Sequence, residues 1–393
     1  MHLSATDPRP RVLHLTQPVD GGVARVVTDL VRAQLAAGLA VTVACPDGTL
    51  ITRLRTLGAD VRHWHATRSP GPSLVREVRH LAHVIDEVRP DLVHAHSAKA
   101  GLAGRLAVRG RIPTVFQPHA WSFEAIGGVT SALALAWERW GARWASRVVC
   151  VSEAERTTGV CAGISGRWSV IPNGVDLQRF HPAPVDTARA RLKPLREVDP
   201  AAPLVVCVGR LCRQKGQDVL LKAWSAVAHR VPGARLVLVG DGPDRDRLRA
   251  RAPKSVLFAG AVADAVPWYQ AADLVVLPSR WEGMALAPLE AMACGRPVVI
   301  TDVDGARESL PPSLARRCLV PPENPAVLAG AVAELLLAPL LRESLGNQGL
   351  RYVLSTHDVR HTAEAVTHVY RDLIGLRPAT RVAPTEHRES IHS

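Results

Sequence analysis

Residues 204–224 read LVVCVGRLCRQKGQDVLLKAW. The opening LVVCV is short, apolar and rich in β-branched residues, which suits a strand buried on both faces. Gly209 ends it, a charged loop runs to Gly216, and VLLKAW resumes at helical spacing. Strand, loop and helix in that order form the unit of a parallel sheet.

The unit recurs to either side. Strand candidates lie at 204–208, 235–239, 256–259, 274–277, 297–301 and 318–320, with helix-like segments between them. The first half repeats the alternation at 11–15, 41–45, 61–64, 92–94, 113–117 and 147–151, with helical spacing at 23–37 and 74–88. The predicted class is α/β: two Rossmann-like, doubly wound parallel-sheet domains facing one another across a cleft. Ligands of such sheets bind at the carboxyl ends of the strands. Residues 170–203 break the rhythm with Pro172, Pro182, Pro184, Pro194, Pro200 and Pro203. The expected division is a first domain over 1–180, a linker over 181–202 and a second domain over 203–355. A closing helix at 356–378 is expected to cross back to the first domain, followed by a polar tail at 379–393.

A chain of 393 residues, 47% hydrophobic and 21% charged, is neither disordered, collagen-like nor a polytopic membrane protein. Its 7 cysteines include no CxxC pair, which leaves no zinc framework and fits buried thiols in a reducing compartment. The net charge of +12 suits an anionic partner. The basic residues are scattered, however, and form no stripe with aromatics, which argues against nucleic acid. The polar N-terminus has no signal-like apolar core, and the stretch AVAELLLAPLL at 331–341 is too short to span a bilayer. The expectation is a cytoplasmic protein, or one peripheral on the inner face of the cell membrane.

Chemistry-bearing residues gather at the expected strand ends. Gly21 and Gly22 precede a helix and let backbone amides approach an anion. They do not form GxGxxG, so no nicotinamide cofactor is indicated. Arg210 and Lys215 place a forked guanidinium and a point charge at the cleft mouth, a pairing that suits a diphosphate. Gly240-Asp241-Gly242 reads as a tight turn. In LPSRWEGMALAPLEAMACGRP (277–297), a loop carries Glu282 and Gly283, and a short helix begins near Ala285. The amides from Gly283 through Met284 and Ala285 to Leu286 make a second anion site. Glu290 lies in an apolar helix and needs a donor: a ribose diol, or a structural arginine. Glu282 and Glu290 would be about 12 Å apart on a helix. That is wide for the roughly 5–9.5 Å of a hydrolase pair, so both read as ligand-orienting groups. His94, His96 and His119 end neighbouring strands. No carboxylate or cysteine joins them at metal-ligand spacing, so they read as polar contacts to a substrate, with no metal.

In order and spacing, these pieces resemble the retaining GT-B glycosyltransferases of the "group 1", or GT4, family. The resemblance runs from the Gly21-Gly22 loop to about Arg371. PDLVHAHSAKAGLAGRLA is similar to the family's acceptor-side segment, and VSEAER with VIPNGVDLQRF to its passage into the linker. VGRLCRQKGQDVLLKAW is similar to its diphosphate-binding start, and EGMALAPLEAMACGRPVV to its E-x7-E motif. The resemblance implies that Arg210 and Lys215 hold the donor diphosphate, Glu282 orients the transferred sugar and Glu290 takes the ribose hydroxyls. Gly22 and the amides near Met284–Leu286 complete the cradle. On the acceptor side it implies His94, His96, Lys99, His119 and Trp121. It further implies transfer with retention from a nucleotide-diphosphate sugar, with no cofactor and no metal; UDP-sugar is favoured and GDP-mannose second. Ala285 departs from a glycine frequent in the family, which bears on donor identity. A weaker similarity, in HSAKAGLAGRLA and PHAWSFE, is to transferases acting on polyprenyl-diphosphate-linked sugars in polysaccharide or glycan assembly.

Two other function classes stay open: a UDP-GlcNAc 2-epimerase-like isomerase, which shares this architecture, and a non-catalytic nucleotide-sugar binder. One further feature concerns partners. Trp137, Trp140 and Trp144 share a helix face beside Arg139, Arg143 and Arg147. That face either docks on an anionic membrane or packs in the core.

Overall fold

The computed structural model describes residues 9–375 except 69 and 126. The first domain holds seven strands: β1 (Arg11–Thr16), β2 (Ala40–Cys45), β3 (Asp60–His63), β4 (Leu92–His96), β5 (Thr114–Gln117), β6 (Arg147–Cys150) and β7 (Trp168–Val170). Their order is β3-β2-β1-β4-β5-β6-β7. The second domain holds β8 (Leu204–Val208), β9 (Arg235–Val239), β10 (Val256–Gly260), β11 (Leu274–Leu277), β12 (Val298–Thr301) and β13 (Leu319–Val320), in the order β10-β9-β8-β11-β12-β13. Every pairing is parallel. Both sheets therefore reverse winding once, between β1 and β4 and between β8 and β11. Crevices open at such reversals.

The twelve expected strands are all present. β7 was not foreseen: WSV is three half-buried residues, too short to show a period. The 181–202 segment also differs from a plain linker. It carries a helix, Val185–Arg191, and a 3-10 turn, Lys193–Leu195. Pro184 caps the helix and Pro194 opens the turn, so these prolines start short elements. Ala188, Leu192 and Leu195 are buried in the second domain's core.

The closing helix spans Val359–Ile374. Asp358 caps it by accepting from the Arg360 amide. Its buried residues Ala363, Val366, Thr367 and Tyr370 follow helical spacing and pack into the first domain's core, mainly against helix Gly21–Ala36. The chain thus returns to where it began. The expected tail at 379–393 lies outside the described residues.

All seven cysteines are free. Cys45, Cys150, Cys207, Cys294 and Cys318 are buried and Cys161 is exposed. No single helix among the described residues is long and apolar enough to cross a membrane. The pair Pro325–Leu337 and Pro339–Thr356 has the length and composition together, but it is bent by 102°.

Candidate active site in the interdomain cleft

The carboxyl ends of the two sheets face each other. Residues after β1, β5 and β6 meet the loop after β11. Gly283 lies in this contact. A methyl group placed there would lie 2.9 Å from Val151 Cγ2, and 3.1 Å from both the Ala120 amide nitrogen and Glu155 Oε1. Ser152 Oγ donates to the Gly283 carbonyl at 3.1 Å, and Asn173 Nδ2 to the Met284 carbonyl at 2.7 Å. Gly22 faces Leu286, whose Cδ1 would be 3.9 Å from an added β-carbon. The predicted donor-binding residues Gly21, Gly22, Gly283, Met284, Ala285 and Leu286 therefore come together at the seam. Helix Leu286–Ala293 carries no side-chain cap, so its first amides remain for an anion.

The second-domain half is stitched by the loops after β8 and β11. Gly216 sits at φ +66°, and an added β-carbon would fall 2.0 Å from the Pro278 carbonyl oxygen. Only glycine lets the 3-10 turn Arg213–Lys215 lie against the 278–282 loop. Lys215 Nζ then reaches Glu282 Oε1 at 2.5 Å, where Ser279 Oγ also donates at 2.7 Å. Arg280 anchors this loop. It grips both Asp218 oxygens, at 2.9 and 3.0 Å, and Glu323 at 2.7 Å. Arg210 is half-buried, and its guanidinium has no acceptor among the described residues. An arginine just past the end of β8 and without a carboxylate partner is suited to an incoming anion. The Gly240–Gly242 turn packs its backbone against Gly209 and Leu211 and supports the same loop.

Within the protein, the donor to Glu290 is a tyrosine rather than an arginine. Tyr269 donates its hydroxyl to Glu290 Oε2 at 2.7 Å. Burial and the adjacent carboxylate push the Tyr269 hydroxyl well up, which keeps it a donor. One carboxylate oxygen is thus fixed.

The first-domain half holds more histidine than expected. His14 in β1 pairs in register with His94 in β4. Its Nδ1 lies 2.9 Å from His96 Nε2, and His96 Nδ1 lies 3.1 Å from His119 Nε2. His119 is half-buried at φ +60° and Ala120 follows at φ +119°, two non-glycine residues in the left-handed region. Such strain persists only where surrounding structure holds it, and it clusters at functional sites. Here Glu155 does the holding, with Oε1 accepting from the Ala120 amide at 2.6 Å and Oε2 from the Val151 amide at 2.7 Å. Burial pushes Glu155 up to about 7. It pushes His14 down to about 4 and His119 down to about 3.

Several acceptor-side expectations are corrected. Trp121 is fully buried, and its indole N–H donates to the Glu155 carbonyl at 2.7 Å; it supports Glu155 and offers an acceptor no surface. Lys99 is buried against Glu77 at 2.7 Å. His94 and His96 are fully buried in β4; His96 bonds His119, and His94 bonds Tyr370. His14, His94 and His96 each offer a nitrogen within 4.8 Å of the others. The donor set is nonetheless poor for a cation: it brings no anionic ligand, and its nitrogens are largely engaged with each other and with Tyr370. The sequence reading missed His14, Glu155, Tyr269 and Arg280. A polar residue inside an apolar strand, as in LHL at 13–15, was the available signal for the first.

The Trp137, Trp140 and Trp144 rings pack on each other, with the Trp140 and Trp144 centroids 4.4 Å apart. Trp137 and Trp144 are half-buried, while Trp140 is 44% exposed beside Leu133 at 66% and Val129 at 78%.

Comparison with known proteins agrees with this architecture. Residues 20–179 match the Glycosyltransferase Family 4 profile, and residues 202–338 match that of the glycosyl transferases group 1. The chain is 30% identical over 249 residues to the UDP-Gal:alpha-D-GlcNAc-diphosphoundecaprenol alpha-1,3-galactosyltransferase of Escherichia coli, covering 59% of this chain and 64% of that protein. It is 31% identical to the D-inositol 3-phosphate glycosyltransferase of Actinosynnema mirum, covering 66% and 67%. The alignments span 60–64% of the length of the first curated relatives. Among solved structures, Anabaena HepE in complex with UDP-glucose superposes with a TM-score of 0.78 at 25% identity, covering 92% of this chain and 100% of that one. The fold is thus that of the GT-B glycosyltransferases, and the chain belongs to the group 1, Family 4 glycosyltransferases.

Proposed function

We propose that this protein transfers a sugar, with retention at the anomeric carbon, from a nucleoside-diphosphate sugar to a hydroxyl of a lipid-linked or glycan acceptor. One observation carries the reading. Lys215, paired with Glu282, and the uncommitted Arg210 follow β8 at the winding reversal of the second sheet, and Gly283, next to Glu282, sits against Ala120 of the first domain. Two cations there neutralise the charge that builds on the departing diphosphate. Glu282 and His119 contact the sugar, and Glu290, steadied by Tyr269, takes the ribose diol. A donor phosphate oxygen receives the acceptor's proton as the new glycosidic bond forms on the face the diphosphate leaves. No metal has a role in this scheme.

UDP-sugar is the first choice of donor. The Escherichia coli relative is named for UDP-galactose and a diphosphoundecaprenol-linked acceptor, and HepE was solved with UDP-glucose. GDP-mannose is second, because a Corynebacterium glutamicum relative 33% identical over 211 residues is named for it. Turnover of a UDP-sugar panel with a GlcNAc-diphospholipid acceptor, with and without EDTA, tests the reading. Product that appears only with acceptor and survives EDTA supports it. Epimerised nucleotide sugar formed without acceptor overturns it.

The exposed Val129, Leu133 and Trp140 face, with Arg143 stacked 4.4 Å from the Trp140 ring, fits a peripheral contact with an anionic leaflet. Trp140→Glu is expected to reduce co-sedimentation with phosphatidylglycerol vesicles. Equal sedimentation of the variant and wild type contradicts that contact.

A further inference from the structure

We propose that Gln34, held by Tyr370, sets the direction of a buried imidazole chain, and that this chain presents His119 to the cleft with a lone pair on Nδ1. The consequence for catalysis rests on the glycosyl-transfer reading; the chain itself does not.

The argument is an accounting of protons. Gln34, fully buried in helix Gly21–Ala36, directs its amide Nε2 to the Tyr370 hydroxyl at 3.3 Å and its carbonyl Oε1 to His14 Nε2 at 2.8 Å. A carbonyl oxygen only accepts, so the proton of His14 sits on Nε2 and Nδ1 is a lone pair. The atom facing that lone pair, His96 Nε2 at 2.9 Å, must therefore donate. His96 Nδ1 is then a lone pair, so His119 Nε2, at 3.1 Å, donates in turn. One proton remains for each neutral ring, and His119 Nδ1 is left as an acceptor with no partner among the described residues. Tyr370 completes the anchor: with its oxygen accepting from Gln34, its hydroxyl proton goes to His94 Nδ1 at 2.6 Å. The His94 proton then lies on Nε2. That atom is buried, and Gln117 on the neighbouring strand is its side-chain hydrogen-bond partner.

The chain is buried and neutral. Gln34, His14, His94, His96 and Tyr370 are all fully buried. Burial lowers the imidazole values enough that no ring carries a second proton near neutral pH. Each ring is therefore confined to one tautomer by its neighbour, and reversing one requires reversing all. Only the Nδ1 lone pair of His119 accepts from a sugar hydroxyl; the opposite polarity would offer an N–H and favour a different hydroxyl orientation. Gln34, His14 and His96 are positioning residues, and Tyr370 brings the crossing C-terminal helix into the same network.

The test is two-bond 1H–15N correlation on the full chain with 15N-labelled histidine, assigned by single His→Gln variants. His14, His96 and His119 are expected as Nε2–H tautomers, with pyridine-like Nδ1. An Nδ1–H signature at His119, or a charged ring at neutral pH, overturns the proposal whether or not the protein transfers sugar. Gln34→Leu removes the anchor and is expected to scramble the His119 signature. It should lower kcat about tenfold, the scale of one lost hydrogen bond, while nucleotide affinity stays unchanged. Gln34→Glu keeps an acceptor opposite His14 and is expected to restore the tautomer. An unchanged His119 signature in Gln34→Leu overturns the proposal. If that variant does not fold, the wild-type spectrum still decides.

Discussion

Lys215 Nζ lies 2.5 Å from Glu282 Oε1 across sixty-seven residues of sequence, so the cation read as the diphosphate's partner and the carboxylate read as the sugar's are partners of each other. The pairing joins the loops after β8 and β11 at the winding reversal and holds each side chain in one place.

Lys215→Ala is expected to lower kcat/KM roughly ten- to a hundredfold, because it removes a charge-assisted contact of about 1.5–3 kcal/mol. Glu282→Gln is expected to lower kcat while leaving nucleotide affinity near wild type, since its partner on the ligand is the sugar. Steady-state kinetics with matched nucleotide titrations separate the two. Identical KM and kcat effects in both variants would contradict the division of roles.

Glu290→Gln leaves the Tyr269 hydroxyl with a weaker acceptor and removes one charged partner of the ribose diol. Affinity for a ribonucleoside diphosphate should fall about tenfold, and affinity for the 2′,3′-dideoxy analogue should change little. Equal losses for both ligands would place the ribose elsewhere.

Gly283→Ala inserts a methyl group 2.9–3.1 Å from Val151, Ala120 and Glu155. The methyl group then presses the loop after β11 away from the first domain. Turnover should fall well below a tenth of wild type, while the melting temperature shifts less, because Val151 is the one core side chain the methyl group meets. An active Gly283→Ala enzyme would show that catalysis does not need this approach.

Stability should fall on acidification. The folded-state values of His14, His80, His94, His96, His119 and His357 are depressed, so the unfolded chain binds more protons as the pH drops below 6.5. Stability from these six is present above that point and is lost as the pH falls toward about 4. Asp29, Glu124 and Glu155 are raised and act in the opposite sense, the latter two from about 7 downward. Six groups against three leave a net loss, at about 1.4 kcal/mol per pH unit for each uncompensated proton. Urea unfolding should show lower stability at pH 5 than at pH 7.5; equal or higher stability at pH 5 would contradict the burial of the imidazoles.

Legibility of the sequence followed physical scale. Short β-branched runs such as LVVCV announced buried parallel strands because burial on both faces leaves no polar alternation to blur them. WSV at 168–170 did not, since three residues carry no period. Prolines in 181–202 suggested an extended linker, yet a proline also opens a helix, and the burial of Ala188 and Leu195 depends on the second domain's surface. In the site, Lys215, Glu282 and Gly283 were visible because their loops are local in sequence. Trp121 and Lys99 are near the cleft in sequence but turn inward, toward Glu155 and Glu77. The His14–His96 contact spans eighty-two residues and emerges only once β1 and β4 are paired.

The account rests on a nucleoside diphosphate being gripped between the two sheets. Isothermal titration of UDP into wild type, Arg210→Ala and Lys215→Ala tests it most directly, with GDP in parallel. The account predicts saturable binding of one of these nucleotides to wild type, weakened roughly tenfold or more in each variant. Equal affinity in all three proteins would contradict it.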